Sequence, residues 1–264
     1  MIFAHADRVL IWPAGAHVLV AVGCMAALFA NSDVAAAIMG VHPASKPLKF
    51  ALSIALFLAT MAVILPAVSV NPVARRAIAW ILALTMITEI VLIVLQAVRG
   101  TTSHFNARGL LNSAIWNTMA GAIVIATLTM GIVALLATLQ PLTSPGDVPM
   151  DPLRSTAWRA ALWLFLLAAF SGFSMAGRMQ HSVGGEDGGP GLPLVNWSTR
   201  HGDLRVSHFV AMHALQLLPI IAAGLMRAPL GGIVRWSGLI LSIIVIAGIA
   251  IGTFVQASAS RAVW

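Results

Sequence analysis

Residues 77–98 read AIAWILALTMITEIVLIVLQAV, and this stretch decides the fold of the chain. A helix needs about 20 apolar residues to cross the hydrocarbon core of a bilayer. The stretch is long enough, and Glu89, near its midpoint, is its only charged residue. An unpaired charge at that depth costs about 3 kcal/mol or more. Glu89 is therefore predicted to face the interior of a helix bundle and to act as a catalytic or proton-handling residue.

Six further segments share this apolar character, and the whole chain is 59% hydrophobic and only 9% charged. Such a composition lies far outside the averages for soluble domains. The sequence predicts an all-α integral membrane bundle of seven transmembrane helices, forming a single domain over residues 1–264 without an internal repeat. The predicted spans are residues 11–30, 48–69, 77–98, 113–139, 157–177, 206–226 and 233–256.

Charge and cysteine content exclude several classes of protein. The net charge is +7, but the basic residues are scattered in short loops, which argues against nucleic acid as a partner. Cys24 is the only cysteine, so neither an intrachain disulfide nor a cysteine metal cluster can form. The N-terminus lacks a basic region followed by a cleavage site, so the first helix is expected to be retained.

The 15 Lys and Arg residues divide almost equally between the two sides of the predicted bundle, so their distribution does not fix its orientation. On the side away from the N-terminus, however, the cations share short segments with His, Asn and Ser, as expected of residues that serve a site. Discounting them places the N-terminus in the cytoplasm. The predicted location is the inner (plasma) membrane of a bacterium, with the bilayer as the first partner.

The loops after the first, third and fifth helices all emerge on one face of such a bundle. They bring together Lys46, Lys49, Arg99, His104 and Arg205. Charge-assisted hydrogen bonds from these residues suit an anion, a haem propionate or an anionic lipid headgroup. The alternative is ordinary anchoring, because Lys and Arg at helix ends commonly reach the interface.

The segment GRMQHSVGGEDGGPGLPLVNWSTRHGDLRVSHFVAMHALQLLP, residues 177–219, holds four of the eight histidines. His208 and His213 are five residues apart, so they point about 140° away from each other on a regular helix. They are the predicted metal or b-haem ligands, with His17, His104 and Gln216 as further cofactor-binding candidates. The alternative is that the intramembrane histidines make structural hydrogen bonds.

Three functions fit these residues. The first is a redox protein linked to b-type haem or quinone, or an accessory subunit of a membrane redox complex. The second is a transporter or channel that uses Glu89 and a histidine near the membrane midplane. The third is a metal-dependent membrane hydrolase built from Ser53, Glu89 and the histidines.

Three boxes carry a resemblance to a known family: HPxxKPxKFxxS at residues 42–53, RGxxSHFN at residues 99–106 and GDLRxxHFxxxHxxQ at residues 202–216. They resemble those of a family of small polytopic bacterial membrane proteins to which no activity is assigned. The resemblance covers most of the chain. It implies a shared fold and shared polar boxes, and it implies no particular reaction.

Overall fold

The computed structural model describes residues 7–30 and 38–263. The N-terminal region that was expected to lack a cleavable signal peptide lies partly outside these residues. Within these ranges seven helices are long and apolar enough to cross a membrane, which confirms the predicted fold class. The helices are α1 Arg8–Ala30, α2 Ser45–Ile64, α3 Pro72–Val98, α4 Leu110–Leu139, α5 Pro152–Arg178, α6 Leu204–Arg227 and α7 Gly232–Ser258. A 3₁₀ turn, Leu65–Ala67, extends α2.

Several helices begin a few residues before the predicted spans because their first turns are polar and capped. The side chain of Asn71 accepts a hydrogen bond from the Ala74 amide at 2.8 Å at the start of α3. Asp151 accepts from the Leu153 amide at 2.9 Å at the start of α5. Both caps are followed by proline, whose missing amide donor is not needed in a first helical turn. A count of apolar residues alone does not detect such turns.

Two short antiparallel ribbons lie in the loops. One, β1 Thr143–Ser144 with β2 Val148–Pro149, lies between α4 and α5; the other, β3 Ser182–Val183 with β4 Gly202–Asp203, lies before α6. At Gly202 an added Cβ would lie 2.0 Å from the Ala257 carbonyl oxygen, so only glycine lets this ribbon approach the end of α7. The long loop before α6 is therefore partly ordered, and its ribbon depends on the close approach at Gly202.

The chain divides into two compact units. Unit 1 comprises Met1–Pro66, Asn71–Thr129 and Asp187–Asn196, and unit 2 comprises Ala67–Val70, Met130–Glu186 and Trp197–Trp264. Unit 1 thus holds α1, α2, α3 and the first part of α4, whereas unit 2 holds the rest of α4 with α5, α6 and α7. In unit 2, Ala168, Ala211 and Ala250 form a buried cluster that joins α5, α6 and α7. That the chain forms one domain remains a prediction.

Candidate functional site

Glu89 lies on the buried side of α3 in unit 1, where its side chain is only 1% exposed. This confirms the prediction that Glu89 faces the protein interior. Neither carboxylate oxygen has a hydrogen-bond partner among the described residues. Buried polar groups are almost always hydrogen-bonded, so this unsatisfied carboxyl is an exception that calls for an explanation.

Lys46, one of the predicted site cations, lies in the first turn of α2. The Lys46 Nζ atom is 5.7 Å from the centroid of the Phe50 ring, one helical turn further along α2. A cation–π contact with Phe50 therefore stabilises the Lys46 head group.

His104 lies in an aromatic cluster of unit 1 that begins at Phe50. Its ring centroid is 5.3 Å from that of Phe50 and 5.8 Å from that of Trp116. Phe105, with a φ of 58°, completes the cluster by packing edge-on against Trp116 at 5.1 Å. Two of the predicted site residues, Lys46 and His104, thus share Phe50 as a neighbour.

Arg99 belongs to a second polar group of unit 1, which the sequence reasoning did not identify. Gln96 is fully buried; its Nε2 donates to Asn112 Oδ1 at 3.1 Å, and its Oε1 accepts from Arg99 Nη1. Arg99 Nη1 also donates to Asn112 Oδ1 at 3.0 Å. The sequence signal for this group was the presence of polar residues on both sides of one loop, at the end of α3 and at the start of α4. The third predicted cation, Lys49, donates to the Val195 carbonyl at 3.2 Å.

His17, predicted as a haem ligand near the midplane, is 2% exposed and directs both ring nitrogens at backbone carbonyls. Its Nδ1 is 2.6 Å from the Pro13 carbonyl oxygen, and its Nε2 is 3.4 Å from that of Met86. Met86 precedes Glu89 by less than one turn. The His17 ring therefore links α1 to α3 close to Glu89. This is the structural hydrogen bonding that was expected as the alternative to cofactor binding.

His208 in unit 2 is held against a strip of small residues on α5. Its Nδ1 is 2.8 Å from the Ala168 carbonyl oxygen and 3.3 Å from Ser171 Oγ. An added Cβ on Gly172 would lie 3.3 Å from His208 Cε1, so the glycine gives the ring its room. The hydrogen bond to a carbonyl fixes the Nδ1 proton, which leaves Nε2 as the acceptor or ligand atom.

His213 lies on another face of α6 and makes a similar local contact. Its Nδ1 is 2.8 Å from the Phe209 carbonyl oxygen, and the two ring centroids are 4.0 Å apart. Trp197 packs against Phe209, with the two ring centroids 5.5 Å apart. Gln216, one turn further on, is half-buried. His208 and His213 thus belong to different surroundings, as their spacing predicts.

Arg205 is paired within unit 2 with an acid that the sequence reasoning left out of the site. Asp203 is 1% exposed, and its carboxylate accepts hydrogen bonds from Arg205 Nε at 2.9 Å and from Arg205 Nη2 at 2.5 Å. The same carboxylate accepts from the backbone amides of Ser198 at 2.7 Å and Arg205 at 3.0 Å. Asp203 therefore caps α6, fixes the preceding loop and holds Arg205 in a two-point ion pair.

Among residues 7–30 and 38–263 no three His, Cys, Asp or Glu side chains are grouped in a way that would hold a metal ion. The assignment of His208 and His213 as metal or haem ligands stays a prediction. No protein-family model matches the chain, and no curated protein and no solved structure matches it either. The resemblance to small polytopic bacterial proteins accordingly also stays a prediction.

Proposed function

We propose that this multi-pass membrane protein conducts or transports protons, and that Glu89 is the group that binds and releases them. The observation that supports the proposal is the carboxyl group itself, 1% exposed and without a hydrogen-bond partner in the described chain. Leaving a polar group in that state costs about 1–3 kcal/mol. A carboxyl with a purely structural role would have a hydrogen-bonding partner, whereas a proton-transfer site needs a group that can change its protonation state.

Two residues of unit 1, one at the start of α2 and one in the loop after α3, suit the same function. The Lys46 Nζ atom is 5.7 Å from the centroid of the Phe50 ring, and His104 packs against the same ring. Imidazole exchanges protons readily near neutral pH, so His104 is the candidate for proton transfer at the polar end of unit 1. The aromatic rings around it would limit the access of water, which a proton-selective pathway requires.

The test is proton flux into liposomes that contain the purified protein and a pH-sensitive dye, driven by a potassium gradient with valinomycin. Glu89→Gln keeps the shape of the side chain and removes the titratable proton, so we expect flux to fall at least about 100-fold. Thr88→Val, which removes a hydroxyl from the neighbouring position of α3, is the matched control and should leave flux unchanged. Equal flux in the Glu89→Gln variant and the wild type would exclude Glu89 as the proton carrier.

A redox function is the second candidate, and one observation favours it. In both His208 and His213 the Nδ1 atom lies 2.8 Å from a backbone carbonyl oxygen. Histidines that bind a haem or a metal usually donate their other ring nitrogen in this way. An absorption spectrum of the protein purified from haem-replete cells tests it, because bound b-type haem gives a reducible Soret band. Loss of that band in His208→Ala or His213→Ala would identify the ligand. The hydrolase alternative has no comparable support.

The location in a bacterial inner membrane with a cytoplasmic N-terminus is part of the proposal. The odd number of membrane-compatible helices in the described chain supports one part of it, that the two ends lie on opposite sides of the membrane. Reporter fusions at the two ends should therefore give opposite locations, with the N-terminal fusion inside the cell. A fusion pair that reports the same side would contradict seven crossings.

A further inference from the structure

A cleft of about 310 Å³ lies in unit 1, between the start of α1 and the start of α3. Its described lining consists of Asp7, Arg8, Val9, Pro72, Arg75 and Arg76. Three of these six residues are arginines, and one is an acid. Ligand pockets in proteins range upward from about 300 Å³, so the cleft suits a small group such as a phosphate or a lipid headgroup.

The packing of α1 against α3 places two of the arginines at the same depth. The ring of His17 joins the two helices, with its Nε2 3.4 Å from the Met86 carbonyl oxygen. Consecutive membrane helices run in opposite directions, so α1 and α3 run parallel. Arg8 precedes His17 by nine residues, and Arg76 precedes Met86 by ten. At a rise of about 1.5 Å per residue, both arginines lie about 15 Å from the contact, on the same side of it.

The backbone amides at these two helix starts are used within the chain. Asp7 Oδ1 accepts from the Val9 amide at 2.9 Å, and the Asp7 carbonyl accepts from the Leu10 amide at 3.1 Å. At the start of α3, the Asn71 side chain accepts from the Ala74 amide at 2.8 Å. A ligand in the cleft therefore has to be held by the arginine side chains, because these amides already have acceptors.

The arginines give the cleft an excess of positive charge. Three guanidinium groups face one carboxylate in the lining, and that carboxylate, Asp7, caps α1. Arg8 and Arg76 are exposed, and within the described chain neither side chain makes a hydrogen bond or an ion pair. Arg75 is half-buried and has contacts of its own. Like charges gathered in one place repel each other, and a bound anion removes that repulsion.

We infer that this cleft binds a phosphate group, held by Arg8 and Arg76 with Arg75 beside them. The planar guanidinium group matches two phosphate oxygens at once, which a single ammonium does not. Basic pockets between membrane helices bind the headgroups of acidic lipids in this way. The phosphate belongs either to an anionic lipid or to free phosphate. Glu89 lies about 20 Å from Arg75 along α3, so the site is separate from the proposed proton site.

The test is a titration of the delipidated protein in an uncharged detergent, followed by calorimetry. The probes are dihexanoylphosphatidylglycerol, which is anionic, dihexanoylphosphatidylcholine, whose phosphate is neutralised by choline, and inorganic phosphate. Arg8→Gln combined with Arg76→Gln removes both guanidinium groups, so the Kd of the bound anion should rise at least about 10-fold. Arg8→Lys combined with Arg76→Lys keeps the charge and loses the two-point contact, so it should raise the Kd by less.

The matched control is Arg154→Gln combined with Arg227→Gln in unit 2. α5 begins, and α6 ends, on the side of the membrane where α1 begins, because each crossing reverses the direction of the chain. The control therefore removes the same charge from the same side and leaves the cleft intact. Its Kd should equal that of the wild type. If the double variant of the cleft does not fold, the single variants Arg8→Gln and Arg76→Gln carry the test, each with a smaller rise in Kd.

Two results would support the cleft and identify the source of the phosphate. Saturable binding of one phosphatidylglycerol per protein, with no binding of inorganic phosphate, would identify a lipid headgroup. Inorganic phosphate that binds and displaces phosphatidylglycerol would identify free phosphate. An equal loss of affinity in the cleft variant and the control would show that binding follows the overall surface charge, and would overturn the site. The absence of saturable binding of either anion to the wild type would overturn it as well.

Discussion

Unit 1 and unit 2 place their buried acids in different surroundings. In unit 2, Asp203 and Arg205 neutralise each other within one turn of chain at the start of α6. In unit 1 the acid lies inside α3, and Glu89 has no hydrogen-bond partner among the described residues. A local ion pair mainly stabilises a fold, whereas a buried acid without a hydrogen-bond partner destabilises it. The comparison therefore makes Asp203 a stabilising residue and Glu89 the candidate for the proposed function.

The largest effect should come from breaking the pair in unit 2. Asp203→Ala removes the carboxylate that accepts hydrogen bonds from the Arg205 side chain, from the Arg205 amide at the start of α6 and from the Ser198 amide. The Arg205 side chain is 26% exposed, so the loss is smaller than for a fully buried pair, and we expect the free energy of unfolding to fall by about 2–3 kcal/mol in detergent. The comparable cap variant Asp151→Ala should cost only about 1 kcal/mol. Equal losses in the two variants would show that the ion pair contributes nothing beyond capping.

In unit 1, by contrast, replacing the buried acid is expected to raise the free energy of unfolding. Glu89→Leu replaces an unsatisfied buried carboxyl with an apolar side chain of similar size, so the protein should gain about 1–3 kcal/mol of stability. The same variant should show no proton flux, because stability and activity are opposed at such a site. Thermal unfolding in the same detergent measures the first effect. A marked loss of stability would mean that Glu89 has a structural partner.

A smaller effect of similar size is expected from two glutamines near helix ends, Gln96 in α3 and Gln256 in α7. Gln96→Leu and Gln256→Leu each remove the Nε2 donor to the carbonyl oxygen six residues later, in the segment that follows the helix, at a cost of about 1 kcal/mol. Gln96 should cost somewhat more, because its amide also donates to Asn112 at 3.1 Å. Equilibrium unfolding of both variants checks the ratio. If only one of them changes stability, the two contacts are not equivalent.

The smallest effect should appear at Gly172. Alanine normally stabilises a helix by up to about 1 kcal/mol over glycine. At Gly172, however, the new Cβ would lie 3.3 Å from His208 Cε1 and crowd the ring. Gly248→Ala, at a position with open space in α7, is the control. We expect Gly248→Ala to raise the melting temperature and Gly172→Ala to leave it nearly unchanged. Equal gains would show that His208 has room to move.

The sequence by itself determined the membrane class, the seven helices and the buried position of Glu89. Each follows from one local quantity, because a run of about 20 apolar residues must form a helix in lipid and a charge within it must avoid lipid. The same reasoning explains why helix starts were misplaced by a few residues. Caps such as Asn71 and Asp151 lie outside the apolar runs and contribute to a helix without adding to its hydropathy.

Only the tertiary structure decided which polar residues have partners. Nothing in the spacing of Gln96, Arg99 and Asn112 shows that two helices bring their side chains together. The sequence also could not reveal that Asp203 is satisfied whereas Glu89 is not, since hydrogen bonds depend on what other elements supply.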